Sequence, residues 1–418
     1  MTQQEMGRYL KLLPYDEALQ KMESLLREHP IGMEEIPVHL SLGRICCKTI
    51  RSTIDMPQQL TSAMDGFGVR SDLTARASSG NPVTFELLDF NDSRSSRLKI
   101  LPGKSVKLST GAVVPPGVDA VIRREEARIV DGRLFVQRPI QKWKNIERIG
   151  DDFSKGSVLV RNGERLTPSM ISVLISIGLK TVLVRRRLQV GILSIGREVR
   201  TINDDKKKGT VNNFAHMLAG YVSELSGQPM IIGSCPDDPK ELKKILAKSA
   251  GRFDALITIG RSSVGDEDIV VDVLSELSGA SIIFHGLRLL PTRPTGLALL
   301  QGKPICILPA RAVSAALSFF EVAVPVFNLL EGVGLQERPP KILATSERTF
   351  ENVRPIECAF LVRVRNEGGS TTIYPLRWGS NLSFELVRAN GFVRVPAKTV
   401  VEKGAQIEVS LMTGVPNI

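Results

Sequence analysis

The sequence predicts a multidomain protein of α/β plus β class, with a mostly parallel α/β domain flanked by β-rich modules. Three observations point there. Residues 188–332 alternate apolar runs of strand length with segments of helical periodicity, the pattern of a parallel sheet with crossover helices. Val69 to Gln141, and again Lys341 to Leu411, are instead short extended runs cut by Gly and Pro, as antiparallel β modules are. Finally, 418 residues are too many for one hydrophobic core.

Each element has its own signal. Leu13, Ala18, Leu19, Met22, Leu25 and Leu26 fall near one face, so a helix is expected from Leu13 to Arg27. Ile36 to Arg51 alternates apolar and polar residues ahead of Pro57. Asp131-Gly132, between Arg128-Ile-Val and Arg133-Leu-Phe-Val, predicts a hairpin with a type I′ turn, whose two central residues need positive φ. Thr167-Pro168 opens a helix: the hydroxyl can cap it, and proline lacks an N–H that the first turn leaves unbonded anyway. Gly178 closes that helix and Thr181–Val184 resumes as a strand.

In the α/β region the expected strands are Gln189–Leu193, Met230–Ile232, Asp254–Ile259, Ser281–Phe284, Gly296–Leu300 and Pro304–Leu308. Phe214, Met217, Leu218, Tyr221, Val222 and Leu225 make an amphipathic helix. Asp238-Pro239-Lys240-Glu241 caps another that carries Leu242, Ile245 and Leu246, with Gly251 after its end. Ala312 to Leu330 is the longest apolar run. It contains Glu321, Pro325 and Asn328, and reads as a buried core helix kinked or ended near Pro325, not as a membrane span. Gly334 to Pro340 is a linker, and Gly368-Gly369 and Asn390-Gly391 are turns of the last module.

Composition narrows the function classes. Hydrophobic residues at 42% with 24% charged describe a soluble globular chain. Aromatics at 5% argue against base-stacking platforms, and the lysines are scattered, so nucleic acid is not expected as a partner. A net charge of +11 suits an anionic ligand. Cys46, Cys47, Cys235, Cys306 and Cys358 form no C-x-x-C pair and are odd in number, as in a reducing compartment. His29, His39, His216 and His285 are scattered, which argues against a His/Cys zinc site. The polar start Met1–Glu5 has no signal pattern. A cytoplasmic protein without a membrane role is expected.

The chemistry is expected in the loops after the parallel strands, because such sheets bind ligands at their carboxyl ends. Those loops hold Arg197 and Glu198, then Asp237, then Gly260 to Asp268, then Arg311 to Ser314. If the sheet is doubly wound they converge on one rim, carrying Glu198, Asp237, Asp266, Glu267 and Asp268 beside Arg197, Arg261 and Arg311. Carboxylates can ligate Mg²⁺ and arginines can grip oxyanions in bidentate fashion. For Asp238 a helix N-cap is the favoured reading. For Asp266 and Asp268, spacing leaves two readings open: ligand-binding acids, or a cap and a complement to a helix dipole. In the first third, Ser62-Ala-Met-Asp65-Gly-Phe67 and Ser109-Thr110-Gly111 are dense in small and turn residues, which fits either a ligand loop or a pair of tight turns.

These motifs occur in an order that resembles the MoeA family, the molybdopterin molybdenumtransferases related to a domain of gephyrin. The collinear segments are Ser-Ala-Met-Asp-Gly-Phe (62–67), Thr-Gly-Ala (110–112), Pro-Gly-Val-Asp-Ala-Val-Ile (116–122), Arg-Ile-Gly-Asp-Asp (148–152) and Leu-Thr-Pro (166–168). They continue with Ile-Leu-Ser-Ile-Gly-Arg-Glu (192–198), Ser-Val-Gly-Asp-Glu-Asp (263–268), Leu-Pro to Val-Ser (308–314), Gly379 to Ser383 and Ala389-Asn390-Gly391.

The resemblance implies an elongated N-terminal domain of helical and extended segments (1–68 and 142–182), an inserted β domain (69–141), a MogA-like molybdopterin-binding α/β domain (183–333) and a small β-barrel-like C-terminal domain (338–418). It implies a homodimer with the cleft shared between subunits, and insertion of molybdate (or tungstate) into adenylylated molybdopterin with Mg²⁺ and release of AMP. Contact with the molybdopterin adenylyltransferase and other cofactor-synthesis proteins is a further implication. Carried over by motif, Asp65, Thr110, Glu198 and Asp268 are the expected catalytic residues, and Glu198, Asp266, Asp268 and Asp152 the expected metal ligands. Gly260, Arg261, Ser262, Ser263, Gly265, Arg293, Arg311 and Ser314 are the expected substrate-binding set.

The chain departs from the family pattern where ligands are expected. Gly-Gly-Val-Ser-Val-Gly becomes Gly260-Arg261-Ser262-Ser263-Val264-Gly265, and Thr-Gly-Asp-Glu becomes Ile195-Gly196-Arg197-Glu198. Pro-Gly-Lys-Pro becomes Pro291-Thr292-Arg293-Pro294, and Leu-Pro-Gly-Asn-Pro-Val-Ser becomes Leu308-Pro309-Ala310-Arg311-Ala312-Val313-Ser314. Asp-Ser-Asn becomes Val211-Asn212-Asn213. The first four changes each introduce an arginine. Two readings follow: the arginines grip the anionic substrate, with Arg293 in place of the family's lysine, or they fill the pocket of a catalytically impaired paralogue that serves as a cofactor-binding or assembly partner. An arginine at 261 also implies a backbone of positive φ without glycine's freedom, and an arginine next to Glu198 implies an ion pair that would neutralise it.

Overall fold

The computed structural model describes residues 12–88, 99–200, 202, 209–261, 268–335, 339–367 and 369–412. The α/β region is built on a six-stranded sheet in the spatial order Gln228–Cys235, Gln189–Ile195, Ala255–Ile259, Lys303–Leu308, Gly296–Leu300, Ala280–His285. The first four strands run parallel. The fifth, Gly296–Leu300, runs antiparallel to both its neighbours, so the sixth runs the same way as the first four, which alternation alone does not reveal. The cause is local. Gln301 and Gly302 have φ of 51° and 76°, the two left-handed residues of a type I′ turn, so 296–300 and 303–308 must form a hairpin. Both middle strands, Ala255–Ile259 and Lys303–Leu308, are buried on their two faces, which is why they read as unbroken apolar runs.

The segments on either side of the inserted module pair with one another. Met33–Pro37 lies antiparallel to Thr181–Arg185, and Ile50–Arg51 to Val158–Val160. The module itself is a six-stranded sheet, ordered Ala120–Arg123, Gly66–Val69, Lys104–Leu108, Val83–Leu88, Arg133–Val136, Arg128–Val130. Its first strand begins at Gly66, ahead of the expected boundary at Val69. The Asp131-Gly132 turn has φ of 45° and 72°, as the sequence requires. At the C-terminal end, Glu357–Glu367, Ser370–Pro375, Lys341–Ser346, Gln406–Leu411 and Gly391–Val395 pair in sequence. The last returns to pair with the first and closes a five-stranded barrel.

The helical run Ala312–Leu330 joins these parts. It is the one segment among the described residues long and apolar enough to cross a membrane, and it is wholly buried. Pro325 neither ends nor breaks it. Instead the helix widens into a π-helical turn, Phe319–Ala323, just before the proline. Pro325 has no N–H to return to the Glu321 carbonyl four residues earlier. The hydroxyl of Tyr15, on helix Tyr15–Leu26, donates to that carbonyl at 3.1 Å. The freed backbone group is thus satisfied by a side chain 306 residues away, and the two helices share one apolar cluster with the sheet and with Ala359, Leu361 and Phe392 of the barrel.

Glu321 itself is buried, and its Oε1 meets no donor among the described residues. Burial pushes its carboxyl above the usual range, against a smaller opposing pull from the Arg394 guanidinium; Tyr15, Glu357 and Lys341 are the other groups that face it. A folded-state pKa above the unfolded one means the protonated form stabilises the fold. That stability is complete below the ordinary carboxylate pKa and declines as pH rises through the folded one. The variant Glu321→Gln is therefore expected to gain urea resistance over wild type at pH 8 and to lose that advantage at pH 5; an equal gap at both pH values would show the carboxyl to be unperturbed. Tyr15→Phe, which leaves the carbonyl without a donor, is expected to lower stability by about 1–3 kcal/mol in the same measurement.

Candidate active site

The first strand of the sheet in chain order, Gln189–Ile195, lies between the second, Gln228–Cys235, and the third, Ala255–Ile259. The chain therefore leaves the first strand in one direction and the second in the other, and the crevice at this switch point is where open α/β sheets hold ligands. The loops that flank it begin at Gly196 and Gly260. The Gly196 N–H donates to the Cys235 carbonyl at 2.9 Å, and the Gly260 N–H to the Leu308 carbonyl at 3.0 Å. Gly260 has φ of 96°, and a Cβ there would stand 2.7 Å from the Ile195 carbonyl oxygen. Only glycine meets both conditions.

Arg261 follows with φ of 49°, the left-handed conformation its position implies. Its guanidinium grips Asp237 with two bonds: Nε donates to Oδ1 at 2.9 Å and Nη2 to Oδ2. This pair spans the crevice from the third strand's loop to the second's. Arg197 and Glu198 are exposed beside it, and among the described residues no ion pair joins Arg197 to Glu198. The expected neutralisation of Glu198 by an adjacent arginine is therefore corrected: the arginine that pairs does so with Asp237, whose carboxylate faces it across the loops. Glu198 instead curls over Gly196, where a Cβ would sit 2.7 Å from its Oε1. Together with Asp272 and Glu276 these residues line an open cleft of about 670 Å³. The Cys235 thiol at the rim is pushed up to about 11, chiefly by burial, so it stays a thiol at neutral pH and is no nucleophile.

Asp268 occupies a different position. It is the N-cap of helix Ile269–Glu276, its Oδ1 accepting from the Val271 N–H at 3.2 Å. Its Oδ2 lies 2.8 Å from His285 Nε2, with both side chains largely buried. That contact is close, yet neither atom makes an aligned hydrogen bond. Of the two readings open for Asp268, the structure displays the cap. Ser262, Ser263, Gly265 and Asp266 lie outside the described residues. Among the described residues no group of three or more His, Cys, Asp or Glu is placed to hold a metal ion, so Glu198, Asp268 and Asp152 are not brought together within this chain.

Asp65 and Thr110 do meet. Asp65 Oδ1 accepts from the Thr110 N–H at 2.7 Å and from its hydroxyl at 2.9 Å. These bonds, the backbone one foremost, hold the carboxyl below its usual range, although it is fully exposed. The pair crosses the insert where Gly66 and Leu108 are in register. Asp152 is exposed, with its N–H on the Met56 carbonyl at 3.0 Å. No hydrogen bond between described residues links Asp65, Thr110 or Asp152 to the rim. Arg293 is exposed in the loop after Pro291. Arg311 stands at the N-cap position of the long core helix without a capping bond and donates from Nη1 to Ser380 Oγ at 3.2 Å, while Ser314 is buried in the first turn. Sequence reasoning did not assign Ser380, His285, Asp272 or Glu276 to the site. Helix phase places Asp272 and Glu276 together four residues apart, but only the fold turns them to the cleft.

Three family descriptions match in succession: "MoeA N-terminal region (domain I and II)" over residues 13–178, "Probable molybdopterin binding domain" over 191–328, and "MoeA C-terminal region (domain IV)" over 351–412. The chain belongs to the MoeA family. It is 29% identical over 398 residues to a molybdopterin molybdenumtransferase of Haemophilus influenzae, covering 91% of this chain and 94% of that one. To the molybdopterin molybdenumtransferase of Bacillus subtilis it is 29% identical over 410 residues, 96% and 94% of the two chains. A crystal structure of the molybdopterin biosynthesis MoeA protein of Pyrococcus horikoshii aligns with a TM-score of 0.75 at 27% identity, over 97% of this chain and all (100%) of that one.

Within the MoeA pattern, then, Gly260 keeps the first glycine of its turn and Arg261 replaces the second. The structure shows why the two are unequal: a side chain at 260 collides with backbone, whereas 261 only needs a left-handed φ. Gly260→Ala is expected to destabilise the α/β region by roughly 1–3 kcal/mol, while Arg261→Gly leaves stability near wild type. Thermal unfolding of both variants checks this, and equal losses would contradict the assignment.

Proposed function

We propose that this MoeA-family chain is a molybdopterin molybdenumtransferase of molybdenum cofactor biosynthesis, inserting molybdate (or tungstate) into adenylylated molybdopterin with release of AMP. The observation that carries the reading is the switch-point crevice, with its glycine turn and flanking arginines, in a chain that matches MoeA in all three of its regions. In this reading Arg197, Arg261 and Arg311 attract the phosphate groups and the oxyanion, because guanidinium matches their oxygens in bidentate fashion. Glu198 is the exposed carboxylate beside them, free to take up a proton or orient a water. Asp65, kept ionised by Thr110, and Asp152 reach the cleft from the second subunit of a homodimer, since no hydrogen bond among the described residues of one chain ties them to the rim.

Magnesium is expected on Glu198, Asp266, Asp268 and Asp152. Within one chain the described residues do not assemble that site: Asp268 has one oxygen on its own helix and the other against His285, and Asp152 is placed by this reading on the second subunit.

The Arg261–Asp237 pair favours a second reading. A bidentate ion pair across the crevice suits a paralogue that holds cofactor precursor without turning it over, as an assembly partner of the adenylyltransferase. One assay separates the two. AMP release from adenylylated molybdopterin with molybdate, with and without Mg²⁺, is expected from wild type and is expected to fall on the order of 100-fold or more in Glu198→Ala. Tight pterin binding with no AMP release supports the assembly role, and absence of both rejects either reading.

A further inference from the structure

The first turn of a helix exposes N–H groups that need acceptors. The core helix begins at Ala312 with Arg311 at its N-cap, and arginine has no side-chain oxygen to offer. Alanine precedes it at 310, so the sequence before the helix supplies no capping side chain. Val313 and Ser314 are buried, and water is a poor substitute there.

The acceptor comes from the barrel. The Ser380 carbonyl receives the Val313 N–H at 3.0 Å and the Ser314 N–H at 3.4 Å. The Ser380 hydroxyl receives Arg311 Nη1 at 3.2 Å. Next to this contact, Leu382, Leu386 and Ala389 pack against the cluster that contains the helix, so the segment is seated by apolar contacts and not by the polar bonds alone. The place is the ligand rim itself. A Cβ built on Gly260 lies 3.5 Å from the Ala310 Cβ, and the Gly260 N–H is bonded to Leu308. Arg311 therefore stands on the loop that abuts the glycine turn.

We infer that Ser380 is a positioning residue supplied by the C-terminal barrel: it caps the core helix through its carbonyl and holds the Arg311 guanidinium through its hydroxyl, so that the barrel sets how the rim presents this arginine to the anionic part of the substrate. The inference rests on the proposed reading of the rim as the molybdopterin site. A long exposed side chain loses rotamer freedom when it binds an anion, and a hydrogen bond made beforehand removes part of that cost. Arg311 replaces a smaller residue of the family pattern, so the hydroxyl bond is a property of this chain.

The test separates the hydroxyl from the carbonyl. Ser380→Ala removes only the former. It is expected to raise KM for adenylylated molybdopterin about fivefold, the size of one lost hydrogen bond, with kcat within about twofold and unfolding temperature little changed. Ser380→Thr, which restores a hydroxyl, is expected to recover most of the KM. Arg311→Met is expected to raise KM by at least as much, and the double variant to be no worse than Arg311→Met, because both act through one contact. Equilibrium binding of molybdopterin to wild type and these four variants is measured alongside. Additive effects of the two substitutions, or an unchanged KM in Ser380→Ala, overturn the inference while leaving the transferase reading intact. Coupled losses of molybdopterin binding without AMP release by wild type uphold the inference and reject the transferase reading. Wild type that binds no molybdopterin rejects both.

Discussion

A helix with no exposed residue must have every backbone polar group satisfied by protein, because no solvent reaches it. Ala312–Leu330 is such a helix, and its sequence leaves gaps at two points. Pro325 frees the Glu321 carbonyl, and the first turn lacks a side-chain cap. The first gap is filled by Tyr15 from the N-terminal helix and the second by Ser380 from the barrel. Domains that are far apart in the chain are thus required by the same buried element. The apolar contacts that surround it supply most of the driving force, while the two polar contacts fix where each neighbour must sit. The π-helical turn before Pro325 belongs to the same solution, since it lets the helix continue past a residue that cannot bond.

The opposite edge of the sheet shows the same logic with charge. Asp254 opens the third strand and is 4% exposed. Its carboxylate accepts from Arg186 Nη1 and Nη2 at 2.6 and 2.5 Å and from the Gln189 N–H at 2.9 Å. A buried carboxylate so enclosed ties the chain entering the α/β region to the sheet. It lies at the amino end of the strand, away from the ligand rim, so this acid is structural, whereas the acids at the carboxyl end face a cleft.

At the rim itself, conformation and electrostatics oppose one another. A left-handed arginine costs of order 1 kcal/mol or more. Its bidentate bond to Asp237 offsets that cost, because charge-assisted pairs of this geometry are the stronger kind. The side chains are 37% and 19% exposed, so solvent screens the pair and it can exchange for an anionic ligand more readily than a buried one. The arginines gained in this chain thereby bring positive charge to a crevice whose carboxylates would otherwise repel a phosphate.

Much of this was legible in the residues. Strand and helix periods, the Asp131-Gly132 turn, the Thr167 and Asp238 caps and the collinear loop motifs are written in local patterns, because each depends on neighbours within a few positions. The rim of the sheet follows from alternation plus the handedness of crossovers. Other features were not legible. The Gln301-Gly302 hairpin that sets Gly296–Leu300 against the other strands is a local signal that the alternation hid. Pro325 reads as a kink or an end of the helix, yet the helix continues through a π-helical turn, and the hydroxyl of a tyrosine from the N-terminal helix donates to the carbonyl that the proline leaves free. Asp268 reads equally as a ligand or a cap, and the fold shows the cap, with the Val271 N–H on its Oδ1 and His285 beside its Oδ2. Arg261 reads as a plug or a grip, and the position of Asp237 makes it a partnered arm across an open cleft. In each of these cases the partner is remote in sequence and close in space. Local pattern specifies what a segment prefers, but which donor meets which acceptor depends on packing that brings distant segments together.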